Sequence, residues 1–279
     1  MFQSDCVVLL PFSEISIKGN QVRGFIEKRL RKNISFYLEH FNVPHKKIIS
    51  RAGRMIIHSS EPKKVIFSLE KCFGISAFFL AKEETFSTLE DLCSKAVALS
   101  KGKVESETFA VRGKSFAKNI SSKKLEEEIG GALLEKYPSL KVKLKNPEKE
   151  VFCVAFEDKA YFYFEKIAGA GGMPTGTQGR AGLLITKEST QKELVALGKD
   201  LLRVGCGLAF VSDEKKVPDL SAIEEFNSYK SLKVHPIKKA KGFYSIGEFR
   251  AFFSTASTIE QAESDSKLVG VKVFVPRLF

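Results

Sequence analysis

The stretch that decides how this chain is organised runs from Gly169 to Arg180 and reads GAGGMPTGTQGR. Five glycines and a proline in so short a segment are incompatible with the interior of a helix or a strand. The alternating run before it, Val151 to Phe164, predicts a pair of strands, and the apolar run after it, Ala181 to Ile185, predicts the first strand of a parallel sheet. The stretch therefore predicts a hinge-like linker between two folded regions.

Composition places the chain among globular proteins and leaves its partner open. Its 279 residues are enough for two or three domains, and 43% of them are hydrophobic, which allows packed cores. The formal net charge of +12 is typical of a protein that binds a polyanion, most often nucleic acid, and equally of a basic protein whose lysines only solvate it. No apolar run approaches the roughly 20 residues that cross a bilayer, and the N-terminus does not resemble a signal peptide. We expect a cytoplasmic protein without membrane contact.

The cysteines and histidines predict neither a metal site nor a catalytic residue. The five cysteines are widely spaced, without a C-x-x-C pair, and most lie in apolar runs, which predicts buried thiols in a reducing compartment. The four histidines have no metal-ligand spacing. The 24 phenylalanines fall mostly at core spacing, so we interpret them as core rather than as platforms on which bases stack.

Residues 1–80 follow the order β-α-β-β-α-β, which is typical of a ferredoxin-like domain. The long helix predicted over Gln21 to Phe41 has an apolar stripe and an opposite basic face. The predicted stripe comprises Val22, Phe25, Ile26, Leu30, Ile34, Tyr37, Leu38 and Phe41. The other predicted elements are a strand at Val7–Leu10, a run from Glu14 that continues into a turn at Gly19-Asn20, a hairpin of Lys47–Ser50 and Arg54–His58 across Ala52-Gly53, a helix at Pro62–Cys72 and a strand at Gly74–Ala81.

The remaining sequence predicts two further regions, and the fold class is α/β with an α+β N-terminal half. Residues 81–168 alternate helices and strands, and a Ser-Ser pair with Glu126 predicts a capping box at the second helix. Residues 181–279 alternate strands with helices, which predicts a reduced parallel-sheet domain. The predicted strands there are Gly182–Ile185, Leu208–Val211, Leu232–Ile237 and Val271–Val275, with helices at Thr190–Val204 and Ser221–Tyr229.

Three motifs resemble a known family, the tRNA 4-thiouridine synthetases (tRNA sulfurtransferases). The run Glu14 to Arg23 resembles the signature of their ferredoxin-like domain. The Phe109–Arg112 strand, the Ile129–Gly130 pair and the segment Val142 to Pro147 resemble their RNA-binding THUMP domain. The resemblance covers about two thirds of the chain and implies residues 1–80 as the ferredoxin-like domain and 81–168 as the THUMP domain.

The linker, residues 169–180, carries the most specific part of the resemblance. Its Gly-Gly-x-Pro-x-Gly-Thr-Gln-Gly pattern stands as Gly171, Gly172, Pro174, Gly176, Thr177, Gln178 and Gly179. The resemblance implies that residues 181–279 correspond to an ATP pyrophosphatase-like domain. It also implies tRNA as the partner, and thiouridine or thiamine thiazole synthesis as the associated chemistry.

Two basic clusters become candidate RNA contacts, because phosphate contacts need Lys and Arg on joined surfaces. The first cluster comprises Lys18, Arg23, Arg29 and Lys32. The second comprises Arg112, Lys114, Lys118, Lys123 and Lys124.

The chain departs from the family where ATP would bind. The family follows its next strand with Ser-Gly-Gly-x-Asp-Ser, whereas this chain has Thr186-Lys187-Glu188-Ser189-Thr190-Gln191. Loops that wrap phosphate need glycines for close backbone approach, and a carboxylate repels phosphate. We therefore predict a tRNA-binding relative that does not adenylate and needs no cofactor. One alternative is an active sulfurtransferase using ATP and magnesium in an altered site. Another is a scaffold that presents tRNA to a separate modifying enzyme.

Overall fold

A computed structural model describes residues 4–11, 13–104, 108–228 and 232–276 of the chain. The chain forms two compact units. The first unit comprises Met1–Leu10, Val43–Phe67 and Ala77–Ala168. The second comprises Pro11–Asn42, Ser68–Ser76 and Gly169–Phe279.

A nine-stranded sheet is the centre of the first unit. Its strands follow the order β2-β3-β1-β4-β8-β7-β5-β6, and β9 pairs with β4 off this path. The strands are β1 (Ser4–Pro11), β2 (Ile49–Arg51), β3 (Arg54–His58), β4 (Ile75–Thr85), β5 (Thr108–Ser115), β6 (Lys141–Val142), β7 (Lys149–Ala155), β8 (Lys159–Tyr163) and β9 (Ile167–Gly171). The predicted domain boundary at residue 80 falls inside β4, whose residues Lys82–Thr85 pair antiparallel with β8.

The predicted hairpin at Ala52-Gly53 is confirmed. Strands β2 and β3 pair antiparallel on either side of it. Ala52 and Gly53 both have positive φ angles, 47° and 71°. This is the left-handed pair that a two-residue type I′ turn requires.

Two helices cover the THUMP-like part of this sheet. Helix α4 spans Leu89–Ser100 and α5 spans Ser122–Lys136. Their buried side chains form one core with β5, β7 and β8, around Phe109, Ile129 and Phe162. The α5 cap is only partly as predicted. Ser121 caps it by accepting from the Lys124 amide, but the Glu126 carboxylate accepts instead from the Gly113 amide on β5 at 2.8 Å. The side chain of Glu126 points toward β5, so it ties helix to strand rather than closing a capping box.

The second unit begins with helices α1 (Ser13–Ser16) and α2 (Asn20–His40). The sequence analysis continued the first strand through Glu14 toward a turn at Gly19-Asn20, but a short helix, α1, lies at Glu14 and α2 begins at Asn20. The apolar stripe predicted for α2 is also too wide. Its buried residues are Ile26, Leu30, Asn33, Ile34, Tyr37 and Leu38. Val22, Phe25 and Phe41 are exposed, because at 100° per residue eight apolar positions cover more of the helix circumference than the buried face takes.

A sheet of five strands completes the second unit, and its strands are all parallel, as the sequence predicts. The order is β12-β11-β10-β13-β14. These strands are β10 (Arg180–Leu184), β11 (Gly207–Val211), β12 (Val234–His235), β13 (Ala251–Phe253) and β14 (Val273–Phe274). From β10 the chain adds strands β11 and β12 on one side of the sheet, and it then adds β13 and β14 on the other side. This reversal creates a topological switch point at the carboxyl ends of β10 and β13. Strand β13 was absent from the sequence prediction, since its three residues give too short a pattern.

Helices α6 (Gln191–Arg203), α7 (Ser221–Glu224), α8 (Ala240–Ser245) and α9 (Ile259–Val269) accompany this sheet. The helix predicted over Ser221–Tyr229 is shorter than expected, and its predicted end at Tyr229 lies outside the described residues. Helix α3 (Pro62–Leu69) begins at its proline, as predicted. Within the part of the chain that the structure describes, no helix is long and apolar enough to cross a membrane.

Candidate nucleic-acid interface

The first basic cluster lies on α2 and the segment that enters it. Lys18 and Lys32 are exposed, whereas Arg23 and Arg29 are half-buried. Arg23 lies 3.7 Å from the Glu27 carboxylate and donates to the Asn20 side chain at 3.4 Å. The four cations are therefore spread from the segment before α2 to the middle of that helix, all in the second unit.

The second basic cluster lies on β5, the loop after it and the first turn of α5, all in the first unit. Lys114, Lys118, Lys123 and Lys124 are exposed. Arg112 differs, because its guanidinium donates to Glu150 Oε1 at 2.7 Å and to the Leu144 carbonyl at 2.8 Å. The Arg112 guanidinium therefore joins β5 to β7. Of the four exposed lysines, Lys123 lies 3.7 Å from the Glu127 carboxylate on the same helix. RNA contact by both clusters stays a prediction.

The linker residues have fixed backbone partners. The Met173 amide donates to the Arg203 carbonyl at 2.8 Å, and the Gly176 and Gln178 amides both donate to the Gly205 carbonyl, at 2.9 and 3.0 Å. Gly171, Gly172, Gly176 and Gly179 all have φ between 65° and 88°, which side chains with a Cβ rarely adopt. The linker is thus a shaped turn held against the end of α6.

A side chain of α2 and the backbone of the turn at Gly74 also hold the linker. Asn33 Nδ2 donates to the Thr175 carbonyl at 3.0 Å, and the Gly74 amide donates to the Gly171 carbonyl at 2.8 Å. A Cβ built on Gly74 would lie 2.7 Å from Pro174. Because the proline occupies that space, only glycine fits at position 74.

A polar cavity of about 630 Å³ lies at the switch point of the parallel sheet. Its lining comes from the segments that follow β10 and β13 and from α6 and α9. The lining residues are Glu188, Glu193, Thr255, Ser257, Glu260, Gln261, Ser264 and Asp265. Four of the eight are carboxylic acids, so the cavity is acidic in a protein that is otherwise basic.

The loop after β10 is closed by its own hydrogen bonds. Ser189 Oγ accepts from the Thr186 amide at 3.1 Å and from the Thr255 hydroxyl at 3.2 Å. The backbone amide of Glu188 and the Thr186 hydroxyl lower the pKa of the exposed Glu188 carboxyl, so it is charged at neutral pH. Burial raises the pKa of Asp265, and the nearby Glu188 adds to that rise.

Both long helices at this cavity are capped by their own side chains. In α6, Thr190 Oγ accepts from the Glu193 amide at 3.3 Å and donates to the Glu193 carboxylate at 2.8 Å. In α9, Thr258 Oγ accepts from the Gln261 amide at 3.2 Å. The Glu193 carboxylate therefore lies at the positive end of the α6 dipole, the place where a phosphate would otherwise bind.

Comparison with known proteins finds two family models and several named relatives that each match part of the chain. Residues 7–78 match the ThiI ferredoxin-like domain and residues 86–165 match the THUMP domain. The probable tRNA sulfurtransferase of Thermoanaerobacter sp. (strain X514) is 34% identical over 183 residues, covering 64% of this chain and 47% of that protein. The corresponding protein of Bacillus subtilis (strain 168) is 32% identical over 184 residues, covering 64% and 45%. The chain is a homologue of the tRNA sulfurtransferases.

Solved structures extend the likeness of this tRNA sulfurtransferase homologue over its whole length. PH1313 from Pyrococcus horikoshii OT3 is 25% identical, with a TM-score of 0.76 over 98% of this chain and 94% of that one. A 4-thiouridine synthetase, solved with RNA and ATP, shares the fold, with 20% identity, a TM-score of 0.69, and coverage of 98% and 81%. The chain spans about half the length of the curated relatives it matches.

The residues at the switch point do not fit the ATP that the family resemblance implies. A triphosphate needs open backbone amides and cations. Here Glu193 occupies the start of α6, Glu188 replaces a loop glycine, and Ser189 Oγ is already held by Thr186 and Thr255. Among the described residues, no group of three His, Cys, Asp or Glu side chains is arranged to hold a metal ion.

Sequence reasoning missed most of this cavity, although a signal was available. The patterns Thr190-x-x-Glu193 and Thr258-x-x-Gln261 are both capping-box signatures. They mark two helix starts after strands, which in a doubly wound sheet face the switch point. Glu260 and Asp265 follow within the first two turns of α9.

Proposed function

We propose that this homologue binds tRNA and does not adenylate it. The support for tRNA as the partner is that about two thirds of the chain match proteins named as tRNA sulfurtransferases, through their ferredoxin-like and THUMP domains. The net charge of +12 agrees with a polyanionic partner. The four exposed lysines of the second cluster provide phosphate contacts, and Lys18 and Lys32 provide more.

The acidic switch-point cavity supports the absence of adenylation. Bringing a triphosphate beside Glu188 and Glu193 places like charges together with few backbone donors to offset them. A single cation at Lys187 supplies a point charge, but it does not replace a cradle of backbone amides. The tRNA that this chain binds is therefore modified by a separate enzyme, in a scaffold-like arrangement.

Calorimetric titration of the purified chain with ATP and magnesium, alongside ATP–pyrophosphate exchange with tRNA present, tests this second half of the proposal. We expect no saturable heat and no exchange above a blank. A saturable signal in the micromolar range that is lost in Lys187→Ala or Ser189→Ala would overturn it and favour the active sulfurtransferase.

The cellular consequence is tested by mass spectrometry of tRNA from cells with and without the chain. If the chain presents tRNA to another enzyme, a modified nucleoside falls in its absence, although the purified chain makes none. An unchanged set of nucleosides would contradict the scaffold arrangement.

A further inference from the structure

Helix α2 carries two exposed phenylalanines that its fold does not use. Phe25 is 54% exposed and Phe36 is 45% exposed. A single exposed apolar side chain needs no explanation. These two, however, lie on one face of the helix with cations between them, which is a pattern typical of a binding surface.

The spacing places five side chains on one continuous ridge. Phe25, Arg29, Lys32, Phe36 and His40 follow each other at intervals of four, three, four and four residues, which stacks them along one side of a helix. We call these five residues the α2 ridge. It runs for about 22 Å at 1.5 Å per residue, and the buried face of α2 lies on the other side of the helix.

The rings of the ridge are already arranged as flat surfaces. The Phe36 and His40 rings are stacked, with centroids 6.1 Å apart and planes 6° from parallel. The next ring, Tyr37, is 96% buried and meets Phe36 edge-on at 5.7 Å, which fixes Phe36 from the buried side. Phe36 therefore presents its exposed part on a supported platform.

Charge decides between a nucleic acid and a protein as the occupant. None of the five ridge residues is acidic, and Arg29 and Lys32 lie between the two phenylalanines. Lys28, Arg31 and Arg23 add positive charge on neighbouring faces of the same helix, against Glu27 and Glu39. Aromatic rings alternating with cations suit single-stranded nucleic acid, since bases stack on the rings while phosphates lie against the cations.

We propose that the α2 ridge binds unpaired nucleotides of RNA, with bases stacked on Phe25 and Phe36 and phosphates held by Arg29 and Lys32. This inference rests on the proposed tRNA binding and deepens it, because it assigns an unpaired segment of the tRNA to this helix. It also corrects the interpretation of the phenylalanines as core residues for these two positions.

The test separates stacking from charge. Full-length chain is titrated with fluorescently labelled tRNA and with a single-stranded oligouridylate across a potassium chloride series. Because stacking releases no counterions, Phe25→Ala with Phe36→Ala should weaken binding by about tenfold or more at every salt concentration without changing the slope of log K against log salt. Lys32→Ala should instead reduce that slope by about one contact.

Matched variants keep the outcome interpretable. The double variant Phe25→Tyr with Phe36→Tyr keeps both rings and should bind like the parent. The double variant Phe25→Leu with Phe36→Leu keeps apolar area without a ring, so it should bind as weakly as the double alanine variant. Phe274→Ala, 47% exposed on the parallel sheet, is the control for loss of an exposed ring. All variants should melt like the parent, because these positions are on the surface.

The failures are distinguishable. A parent protein that binds no tRNA at low salt removes the proposed function itself. A parent that binds tRNA while the alanine pair binds equally well overturns the ridge alone and assigns the exposed rings to a protein contact. Full binding by the leucine pair also overturns stacking.

Discussion

Asn33 on α2 donates a hydrogen bond from Nδ2 to the main-chain carbonyl of Thr175 in the linker, at 3.0 Å. Both residues are buried, Asn33 at 1% exposure and Thr175 at 0%. A helix near the N-terminus and a turn 142 residues later are thereby joined inside the second unit. Asn33 is polar and is absent from the predicted apolar stripe, yet it belongs to the buried face of α2.

Replacing Asn33 by alanine should destabilise the chain by about 1–3 kcal/mol, because it leaves the Thr175 carbonyl without its donor in a dry environment. Chemical denaturation of the variant and the parent measures the difference in unfolding free energy. Asn119→Ala, an exposed position, should change it by less than about 0.5 kcal/mol. Equal stability of the Asn33 variant and the parent would show that this bond does not hold the linker.

Two adjacent linker glycines separate backbone strain from steric clash. Gly171 and Gly172 have nearly equal φ angles of 65° and 68°. A Cβ on Gly171 would meet open space, whereas a Cβ on Gly172 would lie 2.4 Å from the Arg203 carbonyl oxygen. Gly171→Ala should therefore cost about 1 kcal/mol from strain alone, and Gly172→Ala clearly more. Thermal melting of both variants tests the order, and similar losses would contradict it.

Gly176 and Gly179 also have positive φ angles, of 88° and 84°. Valine at either position should cost about 1–3 kcal/mol through strain. At Gly179 an added Cβ also meets the Arg250 side chain at 2.7 Å, but that chain is flexible. If both valine variants melt like the parent and bind tRNA alike, the linker is a slack tether instead.

Glu83 on β4 should make the first unit sensitive to acid. Burial raises the pKa of this carboxyl, but hydrogen bonds from Lys159 and His58, both at 2.7 Å, and from Tyr161 outweigh burial and hold the pKa below its usual value. A lowered folded-state pKa stabilises the fold above the ordinary glutamate pKa, and that stability is lost as pH falls through the folded value.

Glu83→Gln should accordingly cost about 2 kcal/mol at pH 7, because Lys159, His58 and Tyr161 lose a charged acceptor. The difference from the parent should shrink below about pH 4, where the unfolded carboxyl is protonated. Denaturation at several pH values measures it, with the exposed Glu135→Gln as the control. A difference that stays constant down to pH 3 would exclude the charged carboxylate as its source.

The sequence predicted those parts of the fold that rest on local patterns. The Ala52-Gly53 turn, the THUMP-like helices and the parallel sheet each have a periodic or turn signal. The joining of β4 to β8 was not predicted, because strand pairing between residues 74 to 80 positions apart leaves no local pattern. The exposure of Phe25 was not predicted for a related reason. Periodicity shows which residues share a helix face, but it does not show how wide the buried face is.

The candidate site also has one part that the sequence predicts and another that only the fold creates. The lost glycines at Thr186–Gln191 are visible in the sequence, and they predict a poor phosphate site. The four carboxylates of the cavity come from α6, α9 and the loop after β10. Only the crossing connections of the parallel sheet bring these segments together, so neither the cavity nor its acidity follows from residue spacing.

The affinity of the purified chain for tRNA, measured across a potassium chloride series, tests the central claim most directly. We predict that log K falls linearly with log salt, and that Lys114→Ala and Lys118→Ala each reduce the slope by about one contact, while Lys215→Ala, an exposed lysine elsewhere, does not. Arg112→Ala should also lower stability, since its guanidinium joins Glu150 and the Leu144 carbonyl. Absence of tRNA binding even at low salt would contradict the account.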